Sequence, residues 1–282
     1  MLAKRMNGFA RVTIPDYLRS SARPLALVTG AAGGIGVPLV TRLVAAGYHV
    51  LALSLSGGGE GQPFVTPLAC DLTKPEQIEQ VVAQVVALGR PVQALVHCAG
   101  VIVPQRMGGG DTASVSSQIM VNLEAPILLT MRLLPHIPSG GHVVFVNSMA
   151  ALVPLEGSSI YTASKFGLRG FALSLAQDVR KSGIHVSSVF PGAVDTPMLR
   201  REIESGGSPL NFVTAPATAD GIACLVMGLL RRPRAEVFCP SGGDGILAQL
   251  MLMMPRVWRL ILPILLKKGR KGLQKYLAGQ KR

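Results

Sequence analysis

Leu25-Ala-Leu-Val-Thr29, running straight into Gly30-Ala-Ala-Gly-Gly-Ile-Gly36, is the stretch that decides how this 282-residue chain folds. Five residues without strict alternation of polar and apolar suit a strand buried on both faces. The glycine cluster then marks a tight turn, and from Gly36 to Ala46 apolar residues recur at spacings of three and four, the period of a helix. A strand, a glycine turn and a helix in that order let the backbone approach a pyrophosphate, whose charge meets the free N–H groups of the helix N-terminus. A glycine-rich turn alone is weak evidence, and its weight depends on what surrounds it.

Outward from that turn the same alternation repeats. Further strand candidates are His49–Ser54, Val65–Ala69, Ala94–His97, His142–Asn147, His185–Phe190 and Glu236–Cys239. Between them lie helical windows at Pro75–Leu88, Val115–Leu134, Ser159–Ser182 and Ala217–Arg231. Strand, helix, strand repeated in this way predicts an α/β fold, a doubly wound parallel sheet of about seven strands with helices on both faces. Gly57-Gly-Gly and Gly108-Gly-Gly read as loops, and no internal repeat interrupts the pattern.

Composition agrees. With 49% hydrophobic and 15% charged residues the chain is too apolar for intrinsic disorder, and four cysteines are too few for a small disulfide scaffold. The net charge of +13 sits at the ends: residues 1–23 carry a net +4 and residues 245–282 a net +9, while 24–244 is neutral. The expected organisation is therefore a basic N-terminal extension (1–23), one α/β domain (24–244) and a basic C-terminal tail (245–282). Basic ends without interleaved stacking aromatics favour an anionic membrane surface and argue against nucleic acid. Cys70, Cys98, Cys224 and Cys239 form no C-x-x-C pair, which points to free thiols in a reducing, cytoplasmic setting and to no metal site. The N-terminus lacks the continuous apolar run of a secretory signal.

Candidate binding and catalytic residues follow from position. An acid at the end of the second strand would bind the ribose 2′-hydroxyl of NAD, but this strand ends at Ser54 with no carboxylate, which favours NADP over NAD. Asp71, just after the third strand, could accept from an adenine amino group or cap the following helix. Tyr161-Thr-Ala-Ser-Lys165 places a phenol and an ammonium one helical turn apart. A neighbouring ammonium favours the phenolate and lowers its pKa, making the pair a candidate general acid/base. Ser148 stands at the C-terminal end of the strand before it, where ligands of such sheets bind.

Taken together these residues resemble the short-chain dehydrogenase/reductase family, plain single-domain type, over roughly residues 24–240. The matching motifs are Thr-Gly-x-x-x-Gly-x-Gly at Thr29–Gly36, Asp71-Leu72, Ala99-Gly100, Asn122, Ser148, Tyr161-x-x-x-Lys165, and Pro191-Gly192 followed by Thr196. The resemblance implies a Rossmann-type fold and a nicotinamide cofactor held by Thr29, Gly30, Gly34, Ile35, Gly36, Ser54, Asp71, Leu72, Ala99, Gly100, Tyr161, Lys165, Pro191, Gly192, Val194 and Thr196. It implies Tyr161 as the proton carrier, Lys165 as holder of the nicotinamide ribose, Ser148 as orienter of the reacting oxygen and Asn122 as anchor of a water linked to Lys165. It also implies a homo-oligomer. One departure is His97-Cys98-Ala99-Gly100, where the family has Asn-Asn-Ala-Gly; Cys98 would alter local order and leave catalysis alone.

The tail adds an expectation of its own. Gln249, Arg256, Arg259, Lys267, Arg270 and Lys271 fall within an arc of roughly 120° on a helical wheel, opposite Leu, Ile and Met, with Trp258 placed for a headgroup boundary. Such a helix would lie in a membrane interface, making the protein peripheral, or fold onto its own substrate cleft or across a dimer interface. The arginines in mid-stretch argue against a membrane span. Either position brings apolar surface to the cleft and suggests a lipophilic substrate, long-chain, steroid-like or retinoid-like. The sequence thus reads as an NAD(P)(H)-dependent oxidoreductase interconverting a secondary alcohol and a carbonyl. Its rival is a cofactor-binding scaffold without turnover.

Overall fold

The apolar runs pair side by side. In the computed structural model, which describes residues 18, 21–57, 61–105, 108, 111–240, 248 and 255–280, the strands are β1 (Leu25–Thr29), β2 (His49–Ser54), β3 (Val65–Ala69), β4 (Val92–His97), β5 (His142–Val146), β6 (His185–Pro191), β7 (Val194–Asp195), β8 (Ala217–Thr218) and β9 (Glu236–Cys239). Seven of them form one parallel sheet in the order β3-β2-β1-β4-β5-β6-β9, and β7 pairs with β8 beside it. Strand order reverses between β1 and β4, which opens a crevice beyond their C-terminal ends. Most of the N-terminal extension, most of 245–254, the tips of both Gly-Gly-Gly loops and the side chain of Trp258 lie outside the described residues.

The helices are α1 (Gly36–Ala45), α2 (Pro75–Ala87), α3 (Thr112–Ile119), α4 (Ala125–Leu133), α5 (Ser159–Asp178), α6 (Pro197–Glu204), α7 (Ala219–Arg231) and α8 (Pro255–Gln280). Successive strand residues supply opposite layers, which is why the strand sequences do not alternate. Leu25, Leu27, Leu51, Leu95, Val143 and Phe145 pack under α2, α4 and α5, while Ala26, Val28, Val50, Ala94, Val96 and Val144 pack under α1 and α7. Phe145 is fully buried, stacked on His97 at 5.0 Å and edge-on to Phe171 at 5.8 Å; burial of such a side chain contributes roughly 1.5–3 kcal/mol.

Three departures from the expected elements have local causes. The helix expected at Val115–Leu134 begins at Thr112, because the Asp111 carboxylate accepts from the amides of Ala113 (3.1 Å) and Ser114 (3.2 Å). A π turn at Met120–Glu124 divides it. The helix expected from Ala217 starts at Ala219, since Ala217 and Thr218 are taken into the pair with β7 and Thr218 then caps Gly221. Helix α6 was not expected at all: Met198, Leu199 and Ile203 are its only large apolar residues among charges.

The tail is one helix of 26 residues, with Pro263 inside it. Its second half lies on a 3-10 turn, Pro209–Phe212, at the rim of the crevice. Gly269 and Gly272 sit so close to the carbonyls of Pro209 and Phe212 that no side chain fits there. Tyr276 meets the Phe212 ring at 5.4 Å and donates its hydroxyl to Asp195 Oδ1 at 2.8 Å. Of the placements weighed for the tail, packing on the protein itself is the one these contacts describe. The first half keeps apolar side chains in solvent, with Leu260 76% and Ile264 68% exposed. Among the described residues, no helix is long and apolar enough to cross a membrane.

Candidate active site

The glycine turn is built by close approach. Gly30 has φ +67°, and a Cβ there would lie 2.7 Å from the Ala99 Cα, so only glycine lets the β1 and β4 loops meet. Thr29 Oγ1 accepts from the amides of Cys98 and Ala99, both at 3.1 Å, and fastens the two strand ends together. A Cβ on Gly34 would lie 2.6 Å from Thr196 Cγ2, which places the far wall of the crevice directly on the loop. Helix α1 starts with no side-chain cap and no acidic residue in its first turn, so the partial positive charge of its N-terminus is unopposed at the crevice.

The catalytic candidates converge from three elements. Ser148, beyond β5, accepts from the Ala150 amide at 3.1 Å and lines one cavity with Tyr161 at the start of α5. One turn on, Lys165 is 3% exposed, and its Nζ donates to the Val146 carbonyl at 3.3 Å and stands 5.8 Å from the Tyr161 ring centre. Asn122 is fully buried in the π turn. Its Nδ2 donates to the Val101 carbonyl (2.8 Å) and to Ser164 Oγ (3.1 Å), and its Oδ1 accepts from the Val101 amide (2.8 Å). Gly100 lies between Asn122 Oδ1 and Lys165 Nζ, with no side chain of its own to separate them.

Burial dominates the electrostatics. It pushes the Tyr161 phenol up to about 12, the nearby Ser148 hydroxyl works the other way, and the Glu202 charge adds to the rise. The expected lowering of this phenol by Lys165 is thus reversed in the protein alone. Burial also brings Lys165 down to about 8, which makes its ammonium easy to discharge. Cys98 is pushed up to about 12 and His97 down to about 3 by the same cause, so one is an inert thiol and the other a neutral ring bonded to Thr130 Oγ1 at 2.9 Å. Among the described residues, no three His, Cys, Asp or Glu side chains gather as a metal site would require.

One cavity of about 340 Å³ collects Gly30, Gly34, Ile35, Gly36, Ala99, Gly100, Ser148, Tyr161, Lys165, Pro191, Gly192, Val194 and Thr196. Thr29 lies behind its wall and holds Cys98 and Ala99, which line it, and Asn122 holds Val101 and Ser164, the chain neighbours of lining Gly100 and Lys165. Ser54, Asp71 and Leu72 are outside it, at the ends of β2 and β3. Asp71 Oδ1 is occupied by the amide (2.9 Å) and hydroxyl (2.7 Å) of Thr73, and Leu72 is buried in the core. The cavity also holds residues that spacing did not single out: Asn147, Ile102, Leu155, Met198, Leu199, Glu202 and Asn211. Asn147 is 3% exposed, and neither its Oδ1 nor its Nδ2 has a partner in the protein. The glycine cradle, the uncapped helix start and this open carboxamide fit a dinucleotide ending in a carboxamide ring.

Fold and cleft define a dinucleotide-binding α/β protein. The model of the short chain dehydrogenase family matches residues 24–205. A 1-deoxy-11-beta-hydroxypentalenate dehydrogenase from Streptomyces exfoliatus is 32% identical over 230 residues, covering 77% of this chain and 82% of that one. A blue fluorescent protein from a metagenomic library, solved with NADPH, superposes with a TM-score of 0.66 at 27% identity, covering 77% of this chain and 96% of the other. A 4-hydroxyisoleucine dehydrogenase complexed with NADH gives 0.65 at 22% identity, over 76% of this chain and 96% of that one, and speaks for the fold alone. The chain belongs to the short chain dehydrogenase family.

Proposed function

We propose that the protein is a nicotinamide-dependent oxidoreductase that interconverts a secondary alcohol and a carbonyl, with Tyr161 as general acid/base. The observation that carries this reading is that Ser148, Tyr161 and Lys165 line one cavity at the glycine turn, with buried Lys165 one helical turn behind the phenol. When bound, the nicotinamide supplies or accepts the hydride. Gly30, Gly34, Ile35 and Gly36 would hold the pyrophosphate, Asn147, Pro191, Gly192, Val194 and Thr196 the nicotinamide end, and Ser54, Asp71 and Leu72 the adenosine end.

Ser148 orients the substrate oxygen toward the Tyr161 hydroxyl, which gives its proton to a carbonyl or takes one from an alcohol. Lys165, discharging near pH 8, is suited to passing that proton on, and Asn122 keeps the Val101 loop and Ser164 in place around it. NADP is the preferred cofactor in this reading, because no carboxylate stands at Ser54 to repel a 2′-phosphate; the NADPH complex of the metagenomic relative supports it. The apolar walls from Ile102, Leu155, Met198 and Leu199 favour a lipophilic substrate. The exposed Leu260 and Ile264, beside exposed Arg256, Arg259, Lys267 and Lys268, favour contact of α8 with an anionic lipid surface, and Met131 and Leu173, exposed on α4 and α5, favour self-association.

The test is steady-state reduction of lipophilic ketones with NADPH or NADH, alongside fluorescence titration of each cofactor. Tyr161→Phe should lower kcat about 10²–10⁴-fold with cofactor affinity changed less than about threefold. NADPH should bind at least about tenfold tighter than NADH, a difference of about 1.4 kcal/mol. Equal turnover by the variant would remove Tyr161 from the mechanism, and cofactor binding without any turnover would favour the scaffold.

A further inference from the structure

The substrate side of the cleft is walled by Ile102, Leu155, Met198 and Leu199, with charged groups at Arg201 and Glu202. Glu202, on α6, is 7% exposed yet lines the same cavity as Tyr161. Its Oε1 accepts from Asn211 Nδ2 at 2.6 Å, and Asn211, on the Pro209–Phe212 turn, lines the cavity too. Burial at that depth disfavours the charged carboxylate, and the Asn211 hydrogen bond offsets this only in part.

The pair is also held rigidly. Thr196 caps α6 through the Leu199 amide, and the Gly207 amide donates to the Glu202 carbonyl at 2.8 Å. A Cβ on Gly207 would lie 2.9 Å from Glu202 Oε1, so the chain closes around the carboxyl with glycine alone. From outside, α8 packs on the turn that carries Asn211. The Glu202 charge is felt at the Tyr161 hydroxyl, which places the carboxyl within electrostatic reach of the reacting atoms. Asn211 spends one of its two amide hydrogens on Glu202 Oε1, and the groups left to a ligand are Glu202 Oε2, Asn211 Oδ1 and the second Asn211 amide hydrogen. Burial pushes the Glu202 carboxyl up to about 7, and above that value both oxygens accept hydrogen bonds.

We propose that Glu202 and Asn211 form a specificity site for a second polar group on the substrate, a hydroxyl or amino group that donates a hydrogen bond at a distance from the reacting oxygen. The inference rests on the alcohol–carbonyl reading and narrows it: the substrate is an apolar skeleton bearing two oxygens, or an oxygen and a nitrogen. A site built to receive a donor rejects the analogue without one, because its own buried acceptors are then left unpaired.

The experiment measures binding, so that it stands apart from turnover. Decalin-1-one and its monohydroxylated isomers are titrated calorimetrically into the Tyr161→Phe protein, with and without NADPH. At least one isomer should bind ten times or more tighter than the parent ketone. Adding Glu202→Leu should bring the two within twofold, Glu202→Gln should keep part of the gain, and Asn211→Val should reduce it from the other side. Thermal unfolding of each variant reports whether the fold is kept. If no isomer gains over the parent, or if the gain survives both Glu202→Leu and Asn211→Val, the site is not a recognition site. Failure of the Tyr161-containing protein to turn over any of these ketones would overturn the alcohol–carbonyl reading while leaving the binding result as measured.

Discussion

At the scale of single residues, the cleft concentrates groups whose charge states are set by burial. Lys165 is the clearest. Its ammonium ordinarily titrates at 10.5 and is brought down to about 8, so between those values the unfolded chain binds more protons than the folded one. Stability therefore rises with pH across that window, and below about 8 the full cost of burying the charge is present, on the order of 3 kcal/mol. Lys165→Met removes that cost and loses one hydrogen bond to Val146. The variant should be the more stable protein at pH 7, and urea denaturation should find its advantage shrinking steadily as pH rises from 8 toward 10.5. An advantage that does not change with pH would mean the ammonium is solvated. Ser148, Tyr161 and Lys165, which line one cavity, were legible because a Tyr–Lys pair one helical turn apart and a serine at the C-terminal end of a strand are recognisable in sequence. Glu202 and Asn211 carry no such interval and reach the cavity through a helix and a turn whose sequences look like ordinary solvated surface, while Asn147 reaches it from the end of β5, where it reads as one more strand residue.

At the scale of elements, the π turn at Met120–Glu124 does what a regular helix could not. The extra residue in the turn aims the Asn122 carboxamide at both backbone groups of Val101, 21 residues away, and at Ser164 on α5. Asn122→Ala leaves both backbone groups of half-buried Val101 without this partner and should cost about 1–3 kcal/mol in urea denaturation. It should also slow turnover by more than it weakens NADPH binding, since the loop it releases lies beside Lys165. Strand positions were readable from sequence because burial on both faces removes alternation. The π turn was not, because an i→i+5 bond leaves no mark on composition. Helix α6 escaped for a related reason: it covers the cleft with few apolar residues, so its period is faint.

At the scale of the molecule, one parallel sheet and its two helical layers carry the cleft, and the tail closes round its rim. The net charge of +13 that drew attention to the ends of the chain is, within α8, an outward-facing property: Arg256, Arg259, Lys267, Lys268, Arg270 and Lys271 are all exposed. If the first half of α8 meets a lipid surface, Leu260→Glu with Ile264→Glu should abolish co-flotation with phosphatidylserine-containing vesicles, and about 0.5 M salt should weaken it. Both positions are solvent-exposed, so melting temperature should not move. Unchanged flotation would leave those side chains for contact with another protein copy. The grip of Tyr276, Gly269 and Gly272 on the Asp195–Phe212 segment has a practical side as well. Any handle fused near that helix, for purification or display, pulls on the wall that sorts ligands, and a preparation could keep its melting temperature while misreporting what it prefers to bind.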